Sequence, residues 1–170
     1  MRTTTLVPIA LFTAVFLFAG GCGKSERSDD GNQPPADSTG VPASSRTVEI
    51  TANDTMKYSL TEIRAKPGES LTVMLTNVGT MPKLSMGHNW ILLKSAAPVD
   101  ALIAEAPQAA TTDYIPPSRS GDIIAHTRLL GPQEKDSVTF KVPNKRGRYP
   151  FLCSFPGHYQ VGMKGDLIVE

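Results

Sequence analysis

From Arg46 onward the chain is cut into short runs in which apolar residues fall at every second position, each run closed by a turn signal. A period of two turns one face of a segment inward and the other outward, which is the mark of a half-buried strand. In Ser70–Thr76 the residues Leu71, Val73 and Leu75 share a face, and Asn77-Val78-Gly79 ends the run. Thr47–Thr51, Tyr58–Ala65, Asn89–Lys94, Asp122–Leu130, Ser137–Val142, Arg148–Cys153 and Lys164–Val169 also read as strands. Lys66-Pro67-Gly68-Glu69 supplies a turn between two of them. Short strands at this spacing predict an all-β sandwich or barrel. One stretch departs from the pattern. Helix formers after Pro98 predict a short helical excursion between strands, with Pro98 at its first position and its end near Pro107. Tyr114–Pro117 then reads as extended loop.

The N-terminal part is of another kind. Arg2 gives a positive start, Leu6–Ala19 is an almost unbroken apolar run, and Ala19-Gly20-Gly21 supplies small residues before Cys22. That order predicts a secretory signal over residues 1–21. The run is short for a bilayer span. Small residues ending in a Cys resemble a bacterial lipobox, with Ala19 where such sites usually carry Leu, so Cys22 is the expected acylation site. Several acyl chains would hold the protein to a membrane where a single chain holds only marginally. Residues 22–45 are rich in Ser, Asp, Gly, Pro and Asn, a composition that cannot bury enough surface to order itself. They read as a flexible tether with a typical reach of roughly 25–30 Å, leaving 46–170 as the folded domain. A secretory leader places that domain outside the cytoplasm, in the periplasm or cell envelope.

The chemistry lies near the C-terminus. Cys153, His158 and Met163 stand on one short loop between two expected strands, and His88 follows Gly87 just ahead of another. Thiolate, imidazole and thioether together suit a soft-to-borderline transition metal, and a weak Met beside Cys and two His marks a blue-copper electron-transfer site. Loops at one end of a sandwich can cluster, so ligands distant in sequence can meet. The Gly87 carbonyl could approach from the side opposite Met163, since Gly admits close backbone. An N–H near Asn89 or Phe155 could donate to the Cys153 sulfur and adjust the potential.

Each residue also has a plainer reading. Cys153 could be a core thiol, Met163 core packing and His88 a structural histidine. A Cys153–Cys22 disulfide is the other use of the two cysteines. A Cys153–His158 nucleophile would need an orienting partner and a substrate cleft. The three histidines are too few for the extra copper clusters of an oxidase, so the chain does not read as an enzyme. His126 reads as structural or surface. A net charge of +1, with no clustered basic face, leaves nothing to favour nucleic acid. A copper chaperone or storage protein is the competing function.

These residues resemble the cupredoxins, and within them the azurin and auracyanin group. The resemblance is carried by Met81–Trp90, Ile124–Gly131, Glu134–Phe140, Phe151–His158 and Met163-Lys164-Gly165, and it runs from about Thr47 to Glu170. It implies an eight-stranded Greek-key sandwich holding one type 1 copper, with Gly87 (carbonyl), His88, Cys153, His158 and Met163 as the matching metal positions. Asn89 matches the residue that braces the ligand loop, and Trp90 reads as core. The spacing from His158 to Met163 is one residue longer than in azurins and looks like auracyanin. The disulfide that azurins carry near the start of the domain has no cysteines here. The electron would pass through the edge of His158. An apolar patch of Met81, Pro82, Leu84, Met86, Phe155, Pro156 and Val161 around it would receive redox partner proteins, a cytochrome or a copper or haem enzyme. Lys83 and Lys164 beside it could steer an acidic partner.

Overall fold

The structure, a computed structural model, describes residues 45–170; the expected leader, Cys22 and nearly all of the tether lie outside them. Nine strands form: β1 (Arg46–Asn53), β2 (Lys57–Tyr58), β3 (Glu62–Ala65), β4 (Ser70–Asn77), β5 (Ile91–Leu93), β6 (Ile123–His126), β7 (Lys135–Lys141), β8 (Gly147–Leu152) and β9 (Lys164–Val169). Two α-helices, α1 (Lys83–Met86) and α2 (Val99–Glu105), lie between strands. The order β2-β1-β4-β7 makes one sheet, and β3-β9-β8-β5-β6 makes the other. The chain passes back and forth between them in the manner of a Greek-key sandwich. The all-β expectation with a helical excursion is what forms, as a sandwich, and the strand beyond the expected eight is the two-residue β2.

Alternation fixes which face turns inward. Leu71, Val73 and Leu75 of β4 are fully buried, with Ile50 and Ala52 beside them on β1 and Phe140 on β7. From the other sheet Ile63, Leu92, Tyr149, Phe151 and Leu167 meet them. Trp90 fills the centre, its ring centroid 5.6 Å from Phe151 and 6.0 Å from Phe140. Its indole N–H has no hydrogen-bond partner. The β3–β4 turn is of the predicted kind: Glu69 N donates to Lys66 O at 3.1 Å, and Gly68 has φ +72°.

Five expectations are corrected. The run 58–65 is not one strand. Tyr58 pairs with Ala52 in the first sheet, whereas Glu62–Ala65 pairs with β9 in the second, so Ser59–Thr61 carries the chain across. The run 122–130 pairs regularly only as far as His126. There the Thr127 hydroxyl accepts the Trp90 N–H at 3.0 Å in place of a backbone carbonyl, and the ladder resumes as a single bridge between His88 and Leu130. Pro98 caps α2 from outside rather than occupying its first position. Pro107 does not end the helical excursion. It sits in the first turn of a 3-10 helix, Ala106–Thr112, where no N–H is needed. Asp113 and Tyr114 then have φ of 56° and 60°, and a second 3-10 turn covers Pro117–Asp122, so only Ile115 and Pro116 of the expected loop 114–117 lie outside a turn, Pro116 with extended angles.

This excursion explains why β5 is buried on both faces. Ile91 and Leu93 point away from the sandwich core and pack with Leu152 against Leu102, Ile103 and Ile115. A second small core thus backs the strand that follows His88.

Gly165 on β9 is packed closely against backbone and a buried ring. A Cβ there would stand 2.3 Å from Thr61 O and 2.4 Å from Phe151 Cζ. Backbone and a buried ring cannot yield cheaply. Gly165→Ala is expected to destabilise the domain by about 2–3 kcal/mol, read from the denaturant midpoint.

Candidate metal centre

Four local features aim the side chains. α1 is held by Met86 N donating to Pro82 O at 2.9 Å, and it delivers Gly87 and His88 onto the Leu130 bridge. Gly87 has extended angles (φ −69°, ψ 149°), so its need is for space rather than for positive φ. A Cβ there would lie 2.7 Å from Lys83 O and 2.9 Å from the Leu129 side chain. Cys153 follows directly on β8. The loop after it is pinned by three backbone bonds: His158 N to Phe155 O at 3.1 Å, Met163 N to His158 O at 2.9 Å, and Cys153 N to Met163 O at 3.1 Å.

The two ligand segments, far apart in sequence, are fastened together by Asn89. Its Nδ2 donates to Ser154 Oγ at 2.9 Å and to Asp113 O at 2.8 Å, while its Oδ1 accepts the Ser154 N–H at 2.9 Å. The sequence marked Asn89 but not Ser154 or Asp113, whose part depends on a meeting across the fold. Tyr58 was also missed: its hydroxyl donates to Asn89 O.

As a result His88, Cys153 and His158 stand together, buried, with one donor atom from each within 4.8 Å of the others. The Cys153 Sγ is 3.5 Å from His158 Nδ1, and the two imidazole centroids are 4.9 Å apart. Among the described residues neither nitrogen of His88 has a hydrogen-bond partner, a costly state for a buried polar group unless something else occupies its lone pair. Met163 is fully buried in the same core cluster as Cys153. His126 is exposed on the face opposite the buried Ala125 and Thr127, apart from the cluster.

Electrostatics fit a soft cation. Burial pushes the Cys153 thiol up to about 12, and the backbone N–H groups of Asn89 and Phe155 pull partly against that rise. Such a thiol ionises at neutral pH only against a cation that displaces its proton. It is the reverse of an activated nucleophile, whose pKa is lowered in partly exposed surroundings. Burial lowers His88 to about 4 and His158 to about 4, which keeps both imidazoles neutral with lone pairs to give. Two buried neutral imidazoles and a thiol are a donor set for copper, and the orphaned nitrogens of His88 fit a bound ion.

The same shifts predict how the metal-free protein responds to acid. Histidines in an unfolded chain take protons near 6.5, whereas these two resist until about 4. The unfolded state binds more protons across that window, so stability rises with pH through it. Metal-free protein is expected to lose thermal stability steadily as pH falls from 6.5 toward 4. A series of melting curves over that range checks it.

Residues 45–170 match the family described as copper binding proteins, plastocyanin/azurin family. The chain is 40% identical to azurin of Pseudomonas chlororaphis over 126 residues, covering 72% of this chain and 97% of that one. It is 38% identical over 112 residues to outer membrane protein H.8 of Neisseria gonorrhoeae, covering 64% of this chain and 60% of that one. Among solved structures, dithionite-reduced auracyanin from Roseiflexus castenholzii superposes with a TM-score of 0.65 at 35% identity, covering 73% of this chain and 96% of that one.

A two-sheet sandwich that buries His88, Cys153 and His158 together at one end defines a blue-copper protein, whose work is electron transfer through one type 1 copper. The chain belongs to the plastocyanin/azurin family of copper-binding proteins.

Proposed function

We propose that this chain carries single electrons between redox proteins outside the cytoplasm, with Gly87, His88, Cys153, His158 and Met163 as the metal positions. The observation that carries the reading is the buried His88–Cys153–His158 triangle, closed to water and held by hydrogen bonds that do not depend on the ion. His88, Cys153 and His158 supply the strong donors, the Met163 thioether a weaker one, and the Gly87 carbonyl a weak oxygen contact. Copper bound there supplies a one-electron couple. The residues around it keep one arrangement of donors in both oxidation states, through the Asn89 clamp and the pinned loop 153–163.

His158 is the donor nearest solvent, 2% exposed, and it sits between His88 and Phe155, whose ring centroid is 4.6 Å away. Around it Leu84 is 92% exposed, with Met81, Pro156 and Val161 also exposed. We assign these residues, with Pro82, to the docking face for a cytochrome or a copper or haem enzyme. Phe155 is not part of that face, although it was expected there. It is buried, packing edge-on against Tyr114 at 4.9 Å as well as against His158. Met86 contributes only partly, being half-buried.

The leader, with Cys22 as acylated N-terminus and residues 22–45 as tether, would hold the domain 46–170 to a periplasmic or cell-envelope membrane. A chaperone that hands copper on needs ligands a partner can reach, and the buried set counts against that alternative.

The test is electron self-exchange of the copper-loaded protein by NMR line broadening. Leu84→Asp is expected to slow it by about tenfold or more, because two desolvated carboxylates would face each other in the encounter pair. Its visible spectrum should stay unchanged. Equal rates in the variant would remove Leu84 from the docking face. Mass spectrometry of the mature N-terminus checks Cys22.

A further inference from the structure

The end of the sandwich away from the metal has a different surface. β8 runs from Gly147 to Leu152, beside Cys153, so its first residue lies about 20 Å from the sulfur at strand rise. The β3–β4 and β7–β8 turns share that far end, joined by Gly68 N to Val142 O at 3.1 Å and Val142 N to Glu69 O at 2.9 Å. Lys66, Lys145 and Arg146 stand on them, and Lys141 is the last residue of β7. All four are exposed, and among the described residues none is in an ion pair. The nearby carboxylates are already committed, Glu69 to Arg46 at 3.0 Å and Glu170 to Arg64 at 2.9 Å. Positive charge is therefore left uncompensated at this end.

The chain enters the domain at this same end, since Arg46 pairs with Leu71 at the start of β4. We propose that the Lys66/Lys141/Lys145/Arg146 end rests on anionic phospholipid headgroups and turns the metal end away from the membrane. The occupant follows from charge and reach. Only Lys66 borders the cleft lined by Arg46, Arg64, Glu69 and Glu170, whereas Lys141, Lys145 and Arg146 lie outside it and are exposed, a spread of charge that suits a diffuse anionic surface. A tether of roughly 25–30 Å lets this end come within a Debye length of the bilayer. The orientation rests on the reading of 1–45 as leader and tether; the lipid contact itself does not.

The experiment uses the full chain carrying Cys22→Ser, so that no acyl chain is attached. Its binding to vesicles of phosphatidylcholine alone, or of equal parts phosphatidylcholine and phosphatidylglycerol, is measured by co-sedimentation at low and high salt. The apolar leader contributes to both vesicles. Each basic side chain near an anionic surface strengthens binding by about fivefold, so replacing all four lowers the anionic preference by about a hundredfold or more. The expected result is a salt-sensitive preference for anionic vesicles that is lost in Lys66→Gln/Lys141→Gln/Lys145→Gln/Arg146→Gln. Lys83→Gln/Lys164→Gln, at the metal end, should keep it. Equal binding to both vesicles, a preference that high salt leaves intact, or a quadruple variant that retains the preference would each overturn the proposal. Failure of acylation at Cys22 is read separately, in the mature protein's mass, and leaves this assay unaffected.

Discussion

Cys153→Ser is expected to abolish the intense visible absorption of the copper-loaded protein completely, while leaving the sandwich folded. The sulfur is fully buried beside His158 Nδ1 and faces the N–H groups of Asn89 and Phe155. A thiolate in that position is both the soft donor that favours copper and the source of the strong visible transition. Serine is smaller and harder, and its hydroxyl does not ionise under ordinary conditions. Any copper that remained would be held by the two imidazoles alone, with a weaker and spectroscopically ordinary signature. The backbone around position 153 depends on the Met163 carbonyl and on Asn89, neither of which touches the thiol hydrogen. Visible and EPR spectra of the loaded variant, with circular dichroism of the metal-free form, separate loss of the ligand from loss of the fold. A variant that kept its blue colour would show that Cys153 is a core thiol and nothing more.

The second large effect is expected at a residue that does not hold the metal. Asn89→Ala removes three hydrogen bonds at once: the two buried ones with Ser154 Oγ and Ser154 N–H, and a part-buried one donated to Asp113 O. The two Ser154 groups left behind are buried, and each orphaned group costs about 1–3 kcal/mol. The expected loss is about 3–4 kcal/mol, or roughly 10 °C in melting temperature. Because Asn89 ties the His88 segment to the Cys153 segment, the variant should also show a broadened EPR signal from copper seated in several arrangements. Ser154→Ala should cost less, and the double variant should fall short of the sum of the two, since both act on the same bonds. Full additivity would mean that Asn89 packs the loop without joining the segments.

Much of this was written in local sequence. The period-two run Leu71–Leu75 gave its face correctly because β4 lies in the middle of its sheet and is half-buried throughout. The ligands were visible because Cys, His and Met in one loop have few other joint uses. What local sequence did not carry were events decided across the fold. Residues 58–65 read as one strand because each half alternates, yet the sheet change at Ser59–Thr61 depends on β9, about a hundred positions later. The helical excursion outran Pro107 because a proline stops a helix only from its interior. Phe155, an aromatic in a polar loop, looked like surface, but Tyr114 covers it from a turn that only the excursion brings near. α1 is a single turn of four residues, too short to leave a periodic trace.

The pairing of β3 with β9 carries a consequence for how the protein is made. Residues 62–65 find their neighbours only among 166–169, so the second sheet stays open until the final strand is available. Loop closures that long are slow to nucleate, and a chain still being synthesised holds no stable native version of this domain. The segment bearing Cys153, His158 and Met163 is also among the last to emerge. A polypeptide with that order of events gains its completed second sheet, and with it the pinned loop of Cys153, His158 and Met163, only once β9 has been made.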